Sequence, residues 1–269
     1  MPPAWPPDPL GWGVPGRPAV EPAPIALVVA LAQERRAVRR CLASVRGWHT
    51  EGFHGLTGRF VRQPIVLVQA GIGGDRARRA LLAASGRFPF RAAWSVGFAG
   101  GLVEGLRPGD LVCPGVVLKD DGRTGQAFPV APARMAVIAA LSAASIPLAD
   151  GALLSVDSPI RSPEAKRAAH LRTSAVAVDM EAVGVAEAAE RLGIPWLAIK
   201  SVVDGADEPL PGFLAGCTTS RGDLRWRGVL WSLAAGSRRR TLRRLARASR
   251  LAALALQRGL EAALPAWSP

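Results

Sequence analysis

Hydrophobic residues fall along this chain in short unbroken runs, each followed by a small-residue turn and then by a stretch with helical spacing. Ile25-Ala-Leu-Val-Val-Ala30 is the first run, with a helical pattern from about Gln33. Pro64-Ile-Val-Leu-Val-Gln69 leads through Gly71-Ile-Gly-Gly74 into a helix ending near Ser85, and Ala92-Ala-Trp-Ser-Val96 leads into the Gly97 to Gly101 loop. Shorter strands are expected at Asp110 to Cys113 and Val116 to Leu118. Ala175-Val-Ala-Val178 feeds a helix from about Glu181 to Leu192, closed by Gly193, and a strand from Ile194 to Val203 ends at Asp204. Continuous apolar runs suit strands covered on both faces, and their alternation with helices predicts a three-layer α/β domain, a central mixed sheet flanked by helices, over residues 25–215.

The two ends differ in texture. Nine prolines within residues 1–24 remove backbone donors and forbid helix, so this segment reads as a mobile extended tail. From Arg221 onward, eleven arginines face only Asp223 and Glu261, placing a net +9 of the chain's +13 in the segment 216–269. This basic appendage reads as helical from about Arg238 to Ala263. At 100° per residue, Leu242, Leu245, Ala246, Ser249, Ala252, Ala253, Leu256 and Leu260 share one arc and most arginines the other.

Composition narrows the class. Cys41, Cys113 and Cys217 are scattered and odd in number, which argues against a disulfide framework or a thiolate zinc site and fits a reducing cytoplasm. No secretory pattern opens the chain, and no uncharged apolar stretch reaches the roughly 18 residues of a membrane span, so a soluble or membrane-surface protein is expected. A nucleic-acid binder is disfavoured, because most of the charge lies outside the main domain and no aromatic stacking platform is interleaved with it.

In α/β sheets ligands bind beyond the carboxyl ends of strands, which singles out Glu34, the Gly97 to Gly101 loop, Asp179-Met180-Glu181 and Asp204. Each alone has an ordinary explanation, a helix-dipole carboxylate or a tight turn. Other constellations fail on spacing. His49, Glu51 and His54 sit poorly for a metal and read as surface or loop residues; Ser155, Ser158 and His170 lack a nucleophile elbow; Gly71 to Gly74 lacks the last glycine and the distal acid of a dinucleotide fingerprint.

Taken in order, Ala30-Leu-Ala-Gln-Glu34, Gly71-Ile-Gly73, Gly97-Phe-Ala-Gly-Gly-Leu102 with Pro108-Gly-Asp-Leu-Val112, Val178-Asp-Met-Glu-Ala182 and Ser201-Val-Val-Asp-Gly-Ala-Asp207 resemble the nucleoside phosphorylase and nucleosidase superfamily, which includes the methylthioadenosine/S-adenosylhomocysteine nucleosidases. Within it, Val156-Asp-Ser-Pro-Ile160, Asp204-Gly-Ala-Asp-Glu-Pro-Leu-Pro211 and the Arg/Leu-rich C-terminus look most like the hopanoid-associated phosphorylases, or adenosylhopane nucleosidases. Two departures weaken the match to methylthioadenosine enzymes: Pro159 stands where they carry a base-stacking aromatic, and Val203 where they carry serine before the aspartate.

The resemblance implies release of adenine from a nucleoside, with Asp204 protonating purine nitrogen 7, Glu34 activating water, and Glu181 gripping the ribose hydroxyls beside Met180. Phe98, Ala99, Gly100, Asp179 and Ile160 complete the expected substrate contacts. It leaves the nucleophile open. A phosphorylase would take inorganic phosphate as co-substrate, for which Gly73, Arg76 and Lys200 are the candidates; water is favoured, with neither metal nor organic cofactor. The resemblance further implies a homo-oligomer, a lipid-linked nucleoside as partner, and contact of the arginine-rich C-terminus with the inner face of the cytoplasmic membrane.

Overall fold

The computed structural model describes residues 22–50, 52–120, 126–210 and 236–267. Nearly all of the proline-rich tail, together with Glu51, Cys217, Trp226 and Trp231, lies outside the described residues.

The predicted strands form the middle of one mixed sheet. β1 (Ile25–Val29) runs parallel to β4 (Gln63–Gln69) on one side and β5 (Ala92–Gly101) on the other, and β12 (Trp196–Asp204) runs parallel to β5 beyond it. All five residues of β1 are buried, as its unbroken apolar run requires. At its far end β5 meets β11 (Ala175–Asp179) antiparallel, with Ala177 opposite Gly101 and Val178 opposite Gly100. Beyond β11 lie β10 (Ala152–Ser155), β7 (Val116–Lys119) and β8 (Ala127–Pro129); β6 (Leu111–Val112) joins β12 and β9 (Leu148–Ala149).

Five strands are not foreseen by the sequence: β8, β9, β10 and the two of a hairpin. The expected loop around His49 and His54 is the antiparallel hairpin β2 (Ala43–Thr50) and β3 (Phe53–Phe60), in which His49 and His54 are an exposed cross-strand pair. Among the described residues no group of three metal-ligating side chains occurs. Gly97 to Gly101, expected as a loop, is instead the continuation of β5.

Helices cover both faces. α2 (Gly74–Ser85) and α5 (Ala182–Leu192) pack on one through Ala77, Ala80, Leu81, Val185, Ala186 and Ala189. Gly193 ends α5 at φ 65°, a left-handed cap that glycine adopts at no steric cost. α1 (Ala32–Arg40), α3 (Arg134–Ala143) and the C-terminal α6 (Gly236–Ala266) cover the other face, while α4 (Pro163–Thr173) lies against β11. The second half of α6 belongs to the core: Leu256, Leu260, Ala263 and Leu264 are buried with Ile25, Leu27 and Ile199, and Trp267 meets Trp94 edge to face at 5.3 Å. Of the predicted apolar arc, Ala252, Leu256 and Leu260 point inward, whereas Ala246 is exposed.

Candidate active site

The carboxyl ends of β1, β5, β11 and β12 converge, and β5 is their hub. Glu34, in the first turn of α1, reaches back so that Oε2 accepts the Ala30 and Leu31 N–H groups at 2.8 and 2.7 Å, and Oε1 accepts the Phe98 N–H at 2.8 Å. A side-chain carbon on Gly97 would stand 2.7 Å from Oε1, so glycine is required there for the carboxylate to approach. Burial raises the Glu34 pKa, while the three N–H groups and the Lys200 charge oppose the rise. The outcome is a rigidly held carboxyl with lone-pair capacity left on Oε1.

Glu181 caps the entrance to α5, and its Oε1 accepts the Gly73 N–H, at the start of α2, at 2.9 Å. Burial pushes its carboxyl up to about 7 against the pull of Lys200, and the neighbouring carboxylates Asp179 and Glu34 add to the rise. Lys200, on β12, is buried and bonds Asp179 Oδ2 at 2.7 Å. Burial alone would discharge it; Asp179, Glu181 and Glu34 carry its pKa above the ordinary lysine value instead. Three carboxylates around one ammonium leave an electronegative site, suited to a cationic transition state.

Asp204 ends β12. Its register partner Gly100 again has no side chain, and a carbon there would lie 3.3 Å from Oδ2. Burial raises the Asp204 pKa, partly offset by Lys166, whose buried ammonium pairs with Oδ2. Sequence reasoning did not find Lys166. Its local context, Pro163-Glu-Ala-Lys-Arg167, reads as a solvated helix turn, and only packing of α4 against the end of β12 reveals the partner.

The remaining predicted residues divide. Phe98, Ala99 and Gly100 line the end of β5, and Met180 and Ile160 pack on the small cluster of Leu154, Val156 and Val178. A cavity of about 240 Å³ opens beyond Met180 between Gly74, Ser155 and Val183. Asp179, expected to touch substrate, has a fully buried side chain whose Oδ2 takes Lys200 and, at 2.9 Å, the Ala182 N–H in the first turn of α5. The groups considered for phosphate are engaged in part. Gly73 N–H serves Glu181, Arg76 Nε donates to the Ala70 carbonyl at 2.9 Å, and Lys200 serves Asp179.

A family model described as Phosphorylase superfamily matches residues 24–219, and the chain belongs to that family. It is an enzyme that cleaves N-glycosidic bonds. Among curated proteins it is 29% identical to a 5′-methylthioadenosine/S-adenosylhomocysteine nucleosidase of Marinomonas sp. (strain MWYL1), over 70% of this chain and 88% of that one. In fold it resembles the nucleosidase of that name from Neisseria meningitidis in complex with methylthio-immucillin-A, with a TM-score of 0.68, 22% identity and coverage of 89% and 99% of the two chains. The futalosine hydrolase of Helicobacter pylori is similar to a comparable degree, with a TM-score of 0.67, 17% identity, and 88% and 97% coverage.

Proposed function

We propose that this protein hydrolyses the N-glycosidic bond of an adenosine-type nucleoside, releasing adenine, and that the nucleoside is adenosylhopane. The observation that carries hydrolysis is Glu34, a buried carboxylate fixed by three backbone N–H groups at the site. As the bond between C1′ and N9 breaks, its electron pair moves into the base, Asp204 gives a proton to nitrogen 7, and neutral adenine leaves. Water attacks C1′ and yields its proton to Glu34. Glu181 accepts bonds from the ribose hydroxyls, Met180 packs against the sugar, and the surplus of carboxylates favours the developing oxocarbenium charge.

The choice of adenosylhopane is supported by the likeness of the segments 156–160 and 204–211 to hopanoid-associated phosphorylases and by Pro159, exposed where a base-stacking aromatic would be needed. It fits the outer half of α6, whose Arg240, Arg243, Arg247 and Arg250 are exposed beside exposed Leu251 and Leu254. Such a face suits an anionic membrane holding a lipid-linked substrate. The curated relatives favour a second reading, methylthioadenosine or S-adenosylhomocysteine as substrate. Incubating the purified protein with adenosylhopane and with methylthioadenosine, with and without phosphate, decides both questions. Free adenine and free sugar from adenosylhopane without phosphate are expected; a sugar phosphate formed only with phosphate overturns the hydrolytic mechanism, and preference for methylthioadenosine overturns the substrate.

A further inference from the structure

A lysine in the middle of a helix normally extends into water, because an ammonium sealed in a protein is costly unless all its hydrogens are bonded. Lys166 is fully buried, and it meets that condition. Its Nζ donates to Asp204 Oδ2, to the Gly205 carbonyl at 2.7 Å and to the Glu208 carbonyl at 2.9 Å, so no N–H bond is left over. The two carbonyls fix the ammonium from the far side, which makes it a rigid handle on one carboxyl oxygen. Among the described residues, Asp204 Oδ1 has no hydrogen-bond partner.

We propose that Lys166 is a positioning residue for the catalytic acid: its ammonium grips Asp204 Oδ2, so that Oδ1 is the oxygen that hands a proton to the leaving base. The inference rests on Asp204 acting as the acid of the proposed reaction. When the glycosidic electron pair enters the base, the Oδ1 proton passes to purine nitrogen 7 and Asp204 is left as a carboxylate. Lys166 stabilises that anion, which makes Asp204 release its proton more readily than burial alone would allow. Water from solvent restores the proton after adenine departs. Among the described residues, the charged groups around Asp204 are few. Lys166 faces it from α4, Glu208 from the segment after β12, and Arg244 from α6, where Arg244 pairs with Glu208 at 3.3 Å. Among the described residues, Lys166 alone touches the carboxyl.

The test is the dependence of kcat on pH for Lys166→Met and Lys166→Arg, using whichever nucleoside the wild type cleaves. In Lys166→Met, kcat is expected to fall roughly 10- to 100-fold through lost orientation, and the alkaline limb to move up by about one unit or more as Asp204 keeps its proton longer. KM should change little. Lys166→Arg, which retains the charge, should keep the wild-type limb with a smaller loss of kcat. A folded Lys166→Met enzyme with the wild-type limb overturns the proposal. Should that variant not fold, the wild type supplies the answer, because the chain has only three lysines, Lys119, Lys166 and Lys200. With ¹⁵Nζ-labelled lysine, the Lys166 resonance should shift at the pH of the alkaline limb of kcat, and a flat response there sinks the idea. Failure of the wild type to release adenine from any nucleoside would instead count against the proposed function, and the resonance would still report the pair.

Discussion

Glu34 and Asp204 are both buried carboxyls at strand ends, and their partners divide the labour between them. Glu34 accepts three N–H groups that favour its anion, whereas Asp204 is raised by burial and checked by one ammonium. Asp204→Asn keeps the shape and removes the transferable proton, so adenine release should drop by about 10²- to 10⁴-fold; a steady-state assay retaining a tenth of wild-type turnover would exclude the role. In Glu34→Gln the amide NH₂ must confront N–H donors on one side or the other, so turnover without phosphate should fall and added phosphate should not rescue it. Glu181 predicts a pH effect. Raised to about 7, it gains a proton as pH falls through neutrality and can then no longer accept from both ribose hydroxyls, so kcat/KM should decline below pH 7. The sign for stability is opposite: a carboxyl whose folded pKa lies above its free value favours the fold at low pH and loses that contribution as pH rises through about 7. A kcat/KM profile that stays level down to pH 5.5 would remove Glu181 from ribose binding. These three carboxylates were legible because each directly follows or ends an apolar run in a characteristic motif. Lys166 was not, because nothing in a sequence window distinguishes a lysine facing water from one facing the end of a strand.

At the scale of elements, glycines set the site's dimensions. Gly97 and Gly100, expected as turn residues, are strand residues whose missing side chains admit Glu34 and Asp204. The same device spaces α2 and α5: a carbon on Gly184 would lie 1.9 Å from the Gly74 carbonyl oxygen. Since Gly73 at the start of α2 donates to Glu181 at the start of α5, that crossing also fixes Glu181, the proposed ribose contact. Gly184→Ala should therefore cost about 1–3 kcal/mol by overpacking and weaken substrate binding at the same time; a thermal melt and KM measured on one preparation check both, and an unchanged KM would uncouple the crossing from the site. The central strands were readable from their unbroken apolar runs. The hairpin of β2 and β3 was not, because its outer strand buries only Trp48 and shows no clean alternation.

For the whole molecule, the basic C-terminus carries two faces. Ala252, Leu256, Leu260, Ala263 and Leu264 close the core, while Arg240, Arg243, Arg244, Arg247, Arg250 and Arg258 of the same helix are exposed. The sequence showed the helix and its charge, yet Leu251 and Leu254, among the arginines on the wheel, are exposed, while the inward arc is joined to β12 by contacts that no local pattern encodes. Replacing Arg240, Arg243, Arg247 and Arg250 together by glutamine should abolish co-sedimentation with anionic liposomes at low salt, given about 1 kcal/mol per basic residue near the surface. Adenine release from a water-soluble nucleoside should persist, and undiminished liposome binding would end the membrane proposal.

The core position of α6 also governs how the protein comes to be folded. Cys41 Sγ reaches the Gln257 carbonyl across 216 residues of chain, and Trp94 waits for Trp267. Until residues 252–267 have been synthesised and docked, one side of the sheet, with Ile25, Leu27, Trp94 and Ile199, has no cover there. Closures over such sequence distances are slow, and bare apolar sheet surface invites association in the meantime. A chain interrupted before α6 would accordingly be both inactive and sticky, since one of the uncovered strands, β12, presents Asp204. Nascent chains of this protein should lean on chaperones until that helix arrives.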